Sequence, residues 1–146
     1  MAEPTGYRGY IASRSFLGER VPQHVQNLVI RDYADRNGLD YLLSATEYTM
    51  SGCFMMLEQV LDELPLLAGM ICYSIFQLPP KAAVRRRVYT RIFETGGVLH
   101  AAVEGLAISD VGDAQKLEDI WRTRQTLDAC PTTNDINAVT QRAFNG

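Results

Sequence analysis

Ser13, Arg14 and Ser15 place two hydroxyls around a guanidinium directly after the apolar run Gly9 to Ala12. Guanidinium groups match oxyanions through paired N–H donors, and hydroxyls both donate and accept, so this trio is a candidate site for an anion or a substrate hydroxyl. Arg20 stands just before Val21-Pro22 and could reach a phosphate at the start of a helix. Glu47 followed by Tyr48 offers a carboxylate base beside a phenolic donor, and a neutral His24 ring near the same crevice is a second candidate base. Ser74, Gln77 and Glu104 add groups that can orient hydroxyls. Each has a plain structural alternative. Glu47 can cap a helix, Glu104 can pair with Arg14, and His24 can be an ordinary exposed histidine. His100, between Leu99 and Ala101, is expected to be a satisfied core residue.

Ligands of open α/β sheets sit outside the carboxyl ends of the strands, so these residues share a site only if the strands end where they stand. Gly9 to Ala12 reads as a first strand. Pro22 then opens a helix carrying Val25, Leu28, Val29 and Tyr33, which Asn37-Gly38 closes. Leu39 to Tyr48 reads as a second strand. Ser51 is a candidate N-cap for a helix with Phe54, Leu57, Val60, Leu61 and Leu64 on its apolar face, ended by Pro65. The apolar run Leu67 to Phe76 predicts a buried third strand, and Pro79-Pro80 breaks the chain ahead of a helix with Val84, Val88 and Ile92. After Gly96-Gly97, Val98 to Val103 predicts a fourth strand.

This alternation predicts a three-layer α/β fold with right-handed crossovers and a mainly parallel sheet of about four strands. The chain reads as a single domain, with a core over 8–108 and a C-terminal helical extension over 113–146. In that extension Leu117, Ile120 and Trp121 share a helix face, 128–134 reads as a loop, and Thr133 can cap a last helix through Ile136, Val139 and Phe144. Such a helical pair covers a sheet edge or makes a homodimer.

With 146 residues, 47% hydrophobic, the chain can build an ordinary core. Its formal charge of −3 argues against general nucleic-acid binding, which rests on summed positive charge. The basic run Arg85-Arg86-Arg87, with Arg91, is expected to be a solvated helix face. No apolar stretch is long enough to span a bilayer and the N-terminus does not read as a secretory signal, so a cytoplasmic location is expected. The cysteines, Cys53, Cys72 and Cys130, lack metal-ligand spacing, there is no glycine-rich phosphate loop or nucleophile elbow, and the two histidines, His24 and His100, do not stand at metal-ligand spacing. No cofactor and no metal are therefore expected.

Two family resemblances follow. The segment Gly9 to Ser15 resembles the opening of the catalytic domain of resolvase-type serine recombinases, a small α/β domain that begins with a strand, an arginine and a nucleophilic serine. That resemblance implies a resolvase-like fold. Where the family carries an aspartate and an arginine before a leucine, this chain has Phe76 and Gln77 before Leu78, and 51–57 lacks the arginine expected there. The guanidinium cluster that would stabilise a phosphoryl transition state is thus incomplete. Five segments, 8–14, 21–27, 43–48, 76–79 and 118–121, together resemble a small protein family of sporadic bacterial carbohydrate-biosynthesis clusters. This second resemblance implies a sugar-containing ligand without a settled reaction.

Together these observations lead to the expectation of a cofactor-independent isomerase, epimerase or lyase acting on a sugar, sugar phosphate or nucleotide sugar. Glu47, His24 and Tyr48 would move protons, while Ser13, Arg14, Ser15, Arg20, Ser74, Gln77 and Glu104 would bind the substrate. The alternatives are a non-catalytic subunit that binds a carbohydrate-pathway enzyme and a DNA-binding recombinase relative, with nucleic acid the less favoured partner.

Overall fold

The structure, a computed structural model, describes residues 5–13, 15, 20–48 and 54–129. Five strands form one sheet: β1 (Tyr7–Ala12), β2 (Tyr41–Glu47), β3 (Gly69–Cys72), β4 (Val98–Ala101) and β5 (Leu106–Ile108). Their spatial order is β2-β1-β3-β4-β5; β1 to β4 are parallel and β5 is antiparallel to β4. Three crossover helices connect the parallel strands, namely α1 (Gln23–Arg36), α2 (Met55–Glu63) and α3 (Ala82–Glu94). Since β2 and β3 lie to opposite sides of β1, right-handed crossovers put α1 on one face and α2 with α3 on the other. The expected α/β class and mainly parallel sheet are present.

On the α1 face, Ile11, Ile30, Tyr33, Ala34, Ile71 and Ala102 form a buried cluster, with Tyr7, Tyr41 and Tyr73 packed against it. Each fully buried isoleucine contributes about 1.5–3 kcal/mol through removal of apolar surface from water. On the opposite face Arg91 joins α3 to α2 through Glu58 and Asp62, both at 2.6 Å.

Several expectations shift in detail. The buried stripe of α1 is Gln26, Ile30, Tyr33 and Ala34, whereas Leu28 is exposed. A polar residue at the head of the stripe hides its register from a hydrophobicity reading. The third strand ends at Cys72, because Ser74 and Gln77 form a reciprocal capping box around a short 3₁₀ turn, Ile75–Gln77. The fourth strand stops at Ala101 and a turn carries the chain into β5, three residues too short to leave a periodic pattern. The candidate cap Ser51 lies outside the described residues, and α2 starts at Met55.

A β-bulge interrupts the pairing of β1 with β2: Arg8 faces Leu42, but Tyr10 faces Ala45. Gly9 sits opposite the irregularity, where a Cβ would collide with Ser44 Oγ. Ser44 donates to Asn27 Oδ1 at 2.6 Å and lies 2.6 Å from the Tyr41 hydroxyl, which pins the bulge to α1. The extra residue reverses side-chain alternation, so Tyr41 and Ser44 both face α1 despite their odd spacing.

Chain contacts divide the molecule into two units, 1–114 and 115–146. Helix α4 (Val111–Ala129) begins in the first, where Asp110 and Asp113 cap its start, and forms the described part of the second. The expected loop at 128–134 is helical as far as Ala129, and the proposed last helix lies outside the described residues. Among the described residues no helix is long and apolar enough to cross a membrane.

Candidate functional site

The carboxyl ends of β1 and β2 meet where Ser13 follows Ala12. The Ser13 amide donates to the Glu47 carbonyl at 2.9 Å, and its hydroxyl does so at 3.3 Å. Ser13 is therefore half-buried and fixed one peptide from Tyr48. Tyr48, which follows Glu47, is exposed, as are Ser15, Arg20 and His24. Arg14 lies outside the described residues.

Glu47 is only 2% exposed. Its Oε2 accepts from the Tyr10 hydroxyl at 3.1 Å and from the amides of Met56 and Leu57 at 3.0 and 3.2 Å. The first amides of a helix lack intrahelical acceptors and carry the positive end of its dipole, so a carboxylate there is strongly held. Glu47 thus locks the end of β2 to the start of α2.

Gln26 is fully buried. Its Nε2 donates to the carbonyls of Ala12 and Val21 at 2.7 and 2.8 Å, while Oε1 accepts from the Ala12 amide at 3.2 Å and from Gln77 Nε2 at 2.7 Å. Two acceptors on one side and two donors on the other fix the orientation of the amide. By tying Val21 to Ala12, Gln26 holds the residue after Arg20 against the residue before Ser13. Gln77 Oε1 in turn accepts from the Ser74 amide at 3.4 Å.

At the β3 and β4 ends the polar groups engage each other. Glu104, in the turn before β5, accepts from the Ile75 amide at 2.5 Å and the Ser74 hydroxyl at 3.1 Å. Burial pushes its carboxyl above the ordinary glutamate value, and those two hydrogen bonds partly oppose the shift. The rim therefore has a closed half, Ser74, Gln77 and Glu104, and an open half, Ser13 and Tyr48 with the Arg20 segment that Gln26 ties to Ala12; no contact brings Ser15 or His24 to either half among the described residues.

His100 faces α1, its Nδ1 2.7 Å from the Tyr33 hydroxyl and its ring edge-on to Tyr7 at 5.1 Å. Burial lowers its pKa, favouring a neutral ring hydrogen-bonded to the Tyr33 hydroxyl. The arginine run divides: Arg85 is buried, donating to the carbonyls of Pro79 and Pro80 at 3.1 and 2.8 Å, whereas Arg86 and Arg87 are exposed. The expectation of a wholly solvated basic face fails at Arg85, because the prolines leave carbonyls that a guanidinium can satisfy.

Gln26 and Tyr10 are the site-building residues that sequence reasoning passed over. A polar residue four positions before Ile30 and eight before Ala34, in one helix register, was the available signal for Gln26. Among the described residues no group of three His, Cys, Asp or Glu side chains gathers as a metal site.

No family model matches the chain, nor does any curated protein. The structure is similar to the N-terminal catalytic domain of TP901-1 integrase, with TM-score 0.57, 13% identity, and coverage of 84% of this chain and 96% of that one. It is also similar to a resolvase family site-specific recombinase from Streptococcus pneumoniae, with TM-score 0.58, 11% identity, and coverage of 94% and 99%. These neighbours overturn the sugar isomerase, epimerase or lyase reading, together with its carbohydrate-pathway subunit variant, its sugar partner and the low rank given to nucleic acid. The resemblance to a carbohydrate-cluster family is likewise unsupported. What stands is the fold: a five-stranded, mostly parallel α/β sheet resembling the catalytic domains of resolvase-type serine recombinases.

Proposed function

We propose that this chain engages DNA through the open half of the rim, contacting the phosphodiester backbone without cutting it. The observation that carries the reading is the Ser13 hydroxyl, fixed at the end of β1 in a fold shared with recombinase catalytic domains. By giving up its 3.3 Å bond to the Glu47 carbonyl, the Ser13 hydroxyl can donate to a phosphate oxygen while the Ser13 amide keeps its own bond to that carbonyl, and the exposed Arg20 supplies charge one residue from the Val21 carbonyl that Gln26 ties to the β1 end. Lys81, Arg86 and Arg87, also exposed, lie on and just before the first turns of α3.

Binding without cleavage follows from charge. Attack by a serine hydroxyl on a phosphodiester builds negative charge that must be met by preorganised cations. At the positions where the recombinase resemblance calls for an aspartate and an arginine stand Phe76 and Gln77, and the Gln77 amide is occupied by Gln26 and Ser74. A neutral amide leaves that charge unmet. This reading carries a cytoplasmic location with it.

The test pairs gel retardation of a short DNA with incubation of supercoiled plasmid. Retardation that weakens steeply with salt, and plasmid that stays supercoiled, is the expected outcome. Absence of retardation at about 50 mM salt overturns the DNA reading. Plasmid nicking that disappears in Ser13→Ala overturns the claim that the site does not cut.

A further inference from the structure

The open half of the rim pairs a hydroxyl and a cation with an exposed aromatic ring. On β2, Glu47 turns its carboxylate to the α2 amides, so the next residue in the alternation, Tyr48, falls on the α1 side with Ser44. On β1, Tyr10 reaches Glu47 on the α2 side and Ile11 enters the α1 cluster, so Ser13 falls on the α1 side as well. Ser13 and Tyr48 thus leave adjacent strands toward one side, linked by the Ser13 bonds to the Glu47 carbonyl. Gln26 brings the segment bearing Arg20 to the same place.

Tyr48 is 67% exposed, and among the described residues nothing hydrogen-bonds to it or stacks on its ring. An aromatic face beside a phosphate-binding pair suits a nucleotide whose base is free to stack. A paired base in a duplex is covered above and below by its neighbours and offers only its edges.

We infer that the DNA recognised by this rim is unpaired, with Tyr48 stacking on a base while Ser13 and Arg20 hold the neighbouring phosphate. The inference rests on the DNA reading above and narrows its substrate to single-stranded segments.

Fluorescence anisotropy with three labelled probes tests it: a thymidine 12-mer, an abasic 12-mer with the same phosphates, and a 12-base-pair hairpin duplex. Wild-type protein binds the thymidine strand most tightly. Tyr48→Ala weakens that binding by roughly 5- to 150-fold, the range measured for loss of one base stack, and leaves the abasic and duplex probes unchanged. Tyr48→Phe retains the ring and the affinity. Equal binding of the thymidine strand by wild type and Tyr48→Ala overturns the inference, as does a wild-type preference for duplex, and both leave the DNA reading standing. Failure of wild type to bind any probe removes both.

Discussion

Replacing Gln26 with leucine tests the scaffold that holds the open rim together. The side chain has no exposed surface and makes four hydrogen bonds, to the Ala12 amide and carbonyl, the Val21 carbonyl and the Gln77 amide. At about 1 kcal/mol net for each bond, their loss costs about 4 kcal/mol. Leucine of similar volume recovers about 1–2 kcal/mol through apolar burial, which leaves a net loss of about 2–3 kcal/mol. For a chain of this size that lowers Tm by roughly 6–12 °C. Urea unfolding followed by circular dichroism reads the change as a lower midpoint with an unchanged m-value. Gln77→Leu removes the same bond to Gln26 from the other side, so the double variant loses less than the sum of the two by at least about 0.5 kcal/mol. A loss below about 1 kcal/mol for Gln26→Leu, or strict additivity with Gln77→Leu, refutes the scaffold.

Further outcomes follow from other elements. Glu47→Ala removes the cap of α2 and leaves the buried Tyr10 hydroxyl without this acceptor, costing about 2–4 kcal/mol in urea unfolding. Gly9→Ala drives a Cβ into Ser44 Oγ at the bulge and costs about 1–3 kcal/mol by the same assay. His100 has a pKa lowered by burial, so its contribution is fully present above the unfolded value of 6.5 and falls as pH drops from there through the folded value. A pH series between 7.5 and 5 shows this loss in wild type and not in His100→Gln. Glu104 has the opposite sign: its raised pKa gives stability that is full below the unfolded value of 4.5 and is lost as pH rises through the folded one. Glu104→Gln, which keeps an Oε1 acceptor for Ile75 and Ser74, is therefore more stable than wild type at pH 7.5 and loses that advantage near pH 4.

The alternation of strands and helices is legible because Pro22, Asn37-Gly38, Pro65, Pro79-Pro80 and Gly96-Gly97 punctuate it at element boundaries. What escapes the sequence is decided by side chains that meet across it. Gln26 reads as a polar interruption until Ala12, Val21 and Gln77 surround it. Glu47 could be read as a base or as a cap, and only its distance to the α2 amides shows it as a cap. Ser74 and Gln77 lie in an apolar run that imitates a strand, and their local hydrogen bonds turn the chain out of it. The sugar expectation rests on the carbohydrate-cluster resemblance, which no family model supports, together with hydroxyls, carboxylates and amides that suit a polyhydroxylated ligand. In the fold many of the same groups bind one another.

The central claim, that Ser13 and Arg20 contact a DNA backbone, is tested most directly by the salt dependence of DNA affinity in wild type and in Arg20→Ala. A logarithmic plot of association constant against salt should fall linearly for wild type, and Arg20→Ala should bind more weakly with a slope smaller by about 1, the signature of one lost phosphate contact. Identical slopes and affinities for the two proteins, or wild-type binding that does not respond to salt, would contradict the account.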